Sequence, residues 1–172
     1  MSIKIGEKAP EFKGQAVVSG EFKDIKLSDY RGKWVVLFFW PLDFTFVCPT
    51  EIRGFNEHYE EFRELGAELV GASTDSVYTH KAWIEHGLGE VRFPLLSDTS
   101  LEVSNSYDVL VKDKGVALRG TFIIDPEGVL KSCTINDLDT GRSVTETLRT
   151  LQALRAGGLT GCEWKPGDKL LG

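Results

Sequence analysis

The hydrophobic pattern is densest over Trp34-Val35-Val36-Leu37-Phe38-Phe39-Trp40, seven apolar residues without a break. A short run of β-branched and aromatic residues predicts a strand buried on both faces, as in parallel sheets. Pro41 stops it, because proline cannot donate to a sheet ladder. After a short loop, Ile52, Phe55, Tyr59 and Phe62 recur at helical spacing, one apolar face of a helix. Gly66 punctuates, and Ala67–Ser73 reads as a second strand. Strand, helix, strand at this spacing implies a right-handed parallel crossover.

Either side of this unit the pattern is shorter in range. Gln15–Val18 and Phe22–Leu27, separated by Ser19-Gly20, predict a hairpin at a sheet edge. Ser28–Lys33 reads as a turn into the central strand. A helix is expected from Ser76 to about His86, a short strand over Phe93–Leu96 and a short helix from Ser100 to Tyr107. Thr121–Ile124 reads as a buried strand, which the turn Asp125-Pro126-Glu127-Gly128 joins to Val129–Ile135. Ser143 and Glu146 form a capping box for the last long helix, and Gly157-Gly158 ends it. The fold class is therefore α/β, a central mixed sheet flanked by helices. The division expected is a domain over 1–156 and a C-terminal tail over 157–172.

The start of the central helix carries the candidate chemistry. Pro49 suits the first helical position, which puts Cys48 at the N-cap and Glu51 where a capping-box carboxylate belongs. Free N–H groups and the positive dipole end favour an anion there. Thiols in such places are typically acidified, and the thiolate is the nucleophile. A free cysteine is often only a small buried hydrophobe. Cysteine is also a poor structural cap beside Ser, Thr, Asp or Asn, so its presence here suggests chemistry.

Composition narrows the partners. A chain of 172 residues fits one domain, and a net charge of −6 without a basic run speaks against nucleic acid or an anionic membrane. No stretch approaches the ~18 apolar residues of a membrane span, and no apolar signal core opens the chain. Three widely spaced cysteines are not a disulfide framework, so a reducing, cytoplasmic location is the default expectation. His58, His80 and His86 have no metal-ligand spacing and read as surface or half-buried residues. His58, ten residues after Cys48 on what reads as one helix, would lie roughly 15 Å along its axis, too far to pair with that thiol. Trp34, Trp40 and Trp83 read as core. No glycine-rich nucleotide fingerprint is present, so no cofactor is expected.

Pro41-x-x-x-Thr45-x-x-Cys48, continued as Pro49-Thr50-Glu51, resembles the signature of the peroxiredoxins, and of these the typical two-cysteine, alkyl hydroperoxide reductase C type. The resemblance runs from Gly6-Glu7-Lys8-Ala9-Pro10 to Trp164-Lys165-Pro166-Gly167. It implies a thioredoxin-like fold, which the order of elements also matches. It implies a thiol peroxidase in which Cys48 attacks hydrogen peroxide or an alkyl hydroperoxide. Arg119 matches the family's active-site arginine, although by composition alone it reads as a solvated strand-end residue. A guanidinium there favours the thiolate and can hold a substrate oxygen.

Magnitudes apportion the work. An ordinary thiol with a pKa of ~8.5 is about 3% thiolate at pH 7. Ionisation alone thus supplies at most ~30-fold in rate, about 2 kcal/mol. The rest must stabilise charge on the leaving oxygen, and the Thr45 hydroxyl, Arg119 and loop N–H groups are the candidates. Pro41 would shield the site and fix the loop.

The product on Cys48 is a sulfenic acid, which condenses with a second thiol. Glu51 holds the place of thioredoxin's second cysteine, so a Cys-x-x-Cys disulfide is impossible. Cys133 and Cys162 remain. Cys133 sits mid-strand and reads as structural. Cys162 lies in a glycine-rich tail of the kind that is mobile. The resemblance implies Cys162 as the resolving cysteine, acting on Cys48 of the partner subunit of a homodimer, within a decamer. It also implies thioredoxin or a flavoprotein disulfide reductase as electron donor.

Two departures stand out. Relatives have Cys-Pro-Ala-x before Trp-Lys-Pro-Gly, whereas Cys162-Glu163 runs straight into Trp164, two residues shorter. Relatives sensitive to overoxidation carry Gly-Gly-Leu-Gly and a C-terminal helix with Tyr-Phe; here His86-Gly87-Leu88-Gly89 stands, and the sequence ends at Gly172. The Cys48 turn is therefore expected to open easily and to form its disulfide before sulfinic acid accumulates. A holdase in which oxidation triggers assembly, and a general thiol–disulfide oxidoreductase, remain alternatives at this stage.

Overall fold

The computed structural model describes residues 2–172. Its strands are β1 (Lys13–Val18), β2 (Glu21–Lys26), β3 (Trp34–Phe39), β4 (Ala67–Ser73), β5 (Leu95–Ser97), β6 (Leu110–Val111), β7 (Val116–Ala117), β8 (Arg119–Ile124) and β9 (Leu130–Asn136). Its α-helices are α1 (Cys48–Glu57), α2 (Tyr59–Glu64), α3 (Val77–Trp83), α4 (Glu102–Ser106) and α5 (Val144–Ala156). Seven strands form one mixed sheet in the order β2-β1-β5-β4-β3-β8-β9, with β3, β4 and β5 parallel to one another. The expected hairpin is β1–β2, and it lies at the sheet edge. Ser19 and Gly20 both take the left-handed conformation (φ 51° and 81°), as a tight two-residue hairpin turn requires. The small hairpin β6–β7 has no counterpart in the sequence reading, because two-residue strands carry no periodicity.

Strand β3 is central because its two faces feed two cores. Val35, Leu37 and Phe39 enter one apolar cluster with Phe12, Tyr107 and Phe122, while Val36, Phe38 and Trp40 enter the other with Ile52, Phe55, Trp83 and Leu151. This is the period-two alternation of a strand covered on both sides. Cys48 belongs to the second cluster, whereas Cys133 packs against the first. The sheet therefore separates the two thiols within a subunit.

Three local expectations are corrected. The helix expected to run continuously past Phe62 breaks at His58 (φ −95°, ψ 8°), which ends α1 and precedes α2. Helix α1 starts one residue earlier than read. Val47, already helical in backbone, stands at the cap, and Cys48 and Pro49 are its first two residues. Finally, Glu51 does not close a capping box; its carboxylate turns inward to two arginines. Two of the other helices, α3 and α5, carry hydroxyl caps, of which the one on α5 was expected. Ser76 Oγ accepts from the Thr79 amide and Ser143 Oγ from the Glu146 amide. The Glu146 carboxylate, however, pairs with Arg149 rather than reaching back.

Candidate active site

Strand β3 delivers the chain to Pro41, buried at its end, and the loop 42–47 turns it into α1. Cys48 is 0% exposed, while Thr45 and Phe46 beside it are exposed, Phe46 to 95%. The sulfur thus sits one layer beneath the surface, under an exposed loop.

Thr45 Oγ1 lies 3.1 Å from Cys48 Sγ and 2.8 Å from the Leu42 carbonyl oxygen. A hydroxyl has one proton to donate. With a thiol at Cys48, Thr45 donates to Leu42 and accepts from the S–H. With a thiolate, the hydroxyl is free to turn its proton to sulfur. Thr45 is therefore a rotor that follows the charge state of its neighbour.

Arg119 begins β8 and is only 4% exposed, so the solvated strand-end reading fails. It donates from Nη1 to Cys48 Sγ (3.4 Å) and to Glu51 Oε1 (2.5 Å), and from Nε to the Leu138 carbonyl (2.7 Å). Burial works against its charge, but its bonds to Cys48 and Glu51 more than offset this and hold its pKa above the ordinary arginine value. Glu51 also accepts from Arg142, through Nε at 2.6 Å and the backbone amide at 3.0 Å. Arg142 completes its fork with the Gly120 carbonyl (2.8 Å), the Thr121 hydroxyl (3.1 Å) and the Phe39 carbonyl. Its burial lowers its pKa, opposed chiefly by the hydrogen bond and charge of Glu51. Two guanidinium groups thus face one carboxylate in a buried cluster, one positive charge in excess. A thiolate at Cys48 balances it.

Sequence reasoning missed Glu51 in this role and Arg142 altogether. An arginine before a serine cap carries no local signal, and it meets Glu51 across 91 positions. The reading of the histidines as surface or half-buried holds for His58 and His86 and is corrected at His80. His80 is 0% exposed, with Nδ1 2.6 Å from Asp43 Oδ2 and Nε2 3.1 Å from the Leu96 carbonyl oxygen. A carbonyl only accepts, so Nε2 carries a proton, and the short contact to Asp43 holds a second proton between them. Asp43 also accepts from Trp40 Nε1 (2.8 Å), and its amide donates to Asp75 (3.0 Å). This network ties the Cys48 loop to α3 and β5.

Cys162 is exposed in the tail and Cys133 half-buried; all three cysteines are free. Burial, then the charge of Asp108, raises the Cys133 pKa, which suits an inert thiol. Among the described residues no group of His, Cys, Asp and Glu has the geometry to hold a metal, and no helix is long and apolar enough to cross a membrane.

Sheet, helix start and paired donors over one sulfur describe a thiol-based peroxidase on a thioredoxin-like scaffold, and comparison with known proteins agrees. Residues 5–133 match the AhpC/TSA family. Peroxiredoxin-2 of Rattus norvegicus is 56% identical over 173 residues, 95% of this chain and 87% of its own. A putative peroxiredoxin in the rubredoxin operon of Clostridium pasteurianum is 50% identical over 98% of both chains. Among solved structures, the reduced 2-Cys peroxiredoxin of Plasmodium vivax superposes with a TM-score of 0.94 at 38% identity, covering 96% of this chain and 91% of that one. The AhpC of Enterococcus faecalis gives 0.87 at 38% identity, covering 98% of both. The chain belongs to the AhpC/TSA family and is a peroxiredoxin of the two-cysteine type, a thiol-dependent peroxidase.

Proposed function

We propose that Cys48 reduces hydrogen peroxide and alkyl hydroperoxides, that Cys162 of a second subunit resolves the product, and that a dithiol protein recycles the enzyme. The carrying observation is the convergence of Thr45 Oγ1 at 3.1 Å and Arg119 Nη1 at 3.4 Å on Cys48 Sγ. The thiolate attacks the terminal peroxide oxygen. The O–O bond breaks, the sulfur becomes a sulfenic acid, and the leaving oxygen takes a proton and departs as water or an alcohol. Thr45 and Arg119 donate hydrogen bonds where oxygen charge builds up. Pro41 covers the site.

Cys162 then attacks the sulfenic sulfur. An S–S bond forms, the S–O bond breaks, and water leaves. We assign this to Cys162 because it is exposed, whereas Cys133 lies under the other face of the sheet. The working unit is then a homodimer, and exposed Leu42, Phe44 and Phe46 on the Cys48 loop favour further assembly, to a decamer. Thioredoxin or a flavoprotein disulfide reductase supplies the electrons. The free thiols suit a cytoplasmic setting.

A reductant-coupled peroxide assay on wild type, Cys48→Ser and Cys162→Ser tests the reading. Both variants should lose turnover, and only wild type should give a dimer on a non-reducing gel after one equivalent of peroxide. A dimer that survives Cys162→Ser would reassign resolution to Cys133.

A further inference from the structure

The tail that carries Cys162 has one buried residue, Trp164, at 8% exposure; Leu159, Leu170 and Leu171 are exposed to 69%, 44% and 59%. The tail closes on itself through the Leu171 amide and the Leu159 carbonyl (2.8 Å). Within it, Gly161–Trp164 is a tight turn, closed by the Trp164 amide donating to the Gly161 carbonyl (3.2 Å). Cys162 is the first corner of that turn and Glu163 the second, in the left-handed conformation (φ 56°) that usually falls to glycine.

Every polar group of Trp164 is engaged. Its amide closes the turn, its indole N–H donates to the Asp168 carbonyl (3.1 Å), and its carbonyl accepts from Arg149 Nη1 (2.9 Å). That last contact is the one side-chain hydrogen bond, among the described residues, joining residues 159–172 to the rest of the chain. Arg149 is itself fixed on α5. Its Nε and Nη2 donate to the two oxygens of Glu146, both at 2.7 Å, a bidentate pair that leaves Nη1 aimed at the tail. Lys165 and Pro166 lie beside the same stretch of α5, lining a groove with Glu146, Arg149 and Gln152.

We propose that Arg149 is a positioning residue for the resolving step: by pinning the Trp164 carbonyl to α5 it holds the Gly161–Trp164 turn so that Cys162 is presented at its exposed corner. This rests on Cys162 being the resolving thiol. With the turn docked, the incoming Cys48 sulfenic acid meets a thiol already in place. With the pin removed, the thiol is spread over the volume swept by a loose tail, and its effective concentration falls.

Stopped-flow tryptophan fluorescence on the full-length reduced enzyme separates the steps. The first phase, second order in peroxide, is oxidation of Cys48; the second, independent of peroxide, is disulfide formation. Arg149→Ala should leave the first phase within about twofold and slow the second by roughly tenfold or more, the scale of one lost charge-assisted hydrogen bond. Sulfinic Cys48, read by mass spectrometry, should rise in step. Arg149→Lys, which keeps the charge and a donor, should recover most of the second phase, and Glu146→Gln should slow it less than Arg149→Ala does. An unchanged or faster second phase in Arg149→Ala overturns the proposal, as does a lysine variant no better than alanine. A first phase that falls equally would show general damage and also overturn it. Cys162→Ser serves as the separate control: if a second phase persists there, the assignment of the resolving thiol fails, whatever Arg149 does.

Discussion

Arg119 donates from one nitrogen, Nη1, to both Cys48 Sγ at 3.4 Å and Glu51 Oε1 at 2.5 Å. The carboxylate fixes the guanidinium, and the fixed guanidinium is aimed at the sulfur. Donors held in place before reaction cost no reorganisation when charge moves. Arg119→Ala should therefore lose peroxide rate by about 10²–10³-fold, the usual scale for one such donor, and by more than its thiolate fraction explains. Titrating the Cys48 thiolate by ultraviolet absorbance and measuring the rate where it is fully ionised decides this. A rate restored at full ionisation would reduce Arg119 to setting the charge state.

The Thr45 hydroxyl cannot donate to sulfur and to the Leu42 carbonyl at once. Thr45→Ser keeps the rotor and should retain most activity. Thr45→Val keeps the shape without the hydroxyl and should lose about 10²-fold, on the scale of one donor. Equal rates in the two variants would show that only the shape of residue 45 matters.

Glu51 is the one carboxylate between two buried guanidinium groups, its side chain 2% exposed. Glu51→Gln leaves those positive charges uncompensated, which should destabilise the fold by about 3–5 kcal/mol. Urea unfolding of the reduced protein measures it. A variant within 1 kcal/mol of wild type, on the scale of a surface pair, would mean that the cluster is solvated.

Burial, then the charge of Asp43, holds the Asp75 carboxyl above the usual carboxylate range, against the Ser73 hydroxyl, the Asp43 amide and His80. A folded pKa above the unfolded one gives stability that is complete below the unfolded value and lost as pH rises through the folded value. Ionised Asp75 therefore costs stability at neutral pH. Asp75→Asn should gain on wild type at pH 7, and the gain should shrink as pH falls into the carboxylate range. Thermal melts from pH 7.5 to 4 follow the difference, and a gap independent of pH would refute the assignment.

The elements built on local pattern were legible. The run Trp34–Trp40 contains β3, with an apolar core on each face, and Ser143 caps the helix it was expected to cap. Periodicity and capping involve residues a few positions apart, so a sequence displays them directly. The spacing of Pro41, Thr45 and Cys48 was legible for the same reason, since one loop carries all three. The inward turn of Glu51 was not. A glutamate three residues past a cap looks like a capping residue, and buried arginines draw it off by a far larger interaction.

By itself, the sequence determined the α/β order of elements and the thiol at the start of α1, because both are short-range properties. Only the tertiary structure decided which charges meet that thiol. Arg119, Arg142 and Glu51 come from β8, the approach to α5, and α1, and His80 reaches Asp43 across 37 positions. Buried charges must find partners wherever the fold brings them, and sequence distance holds no record of that requirement.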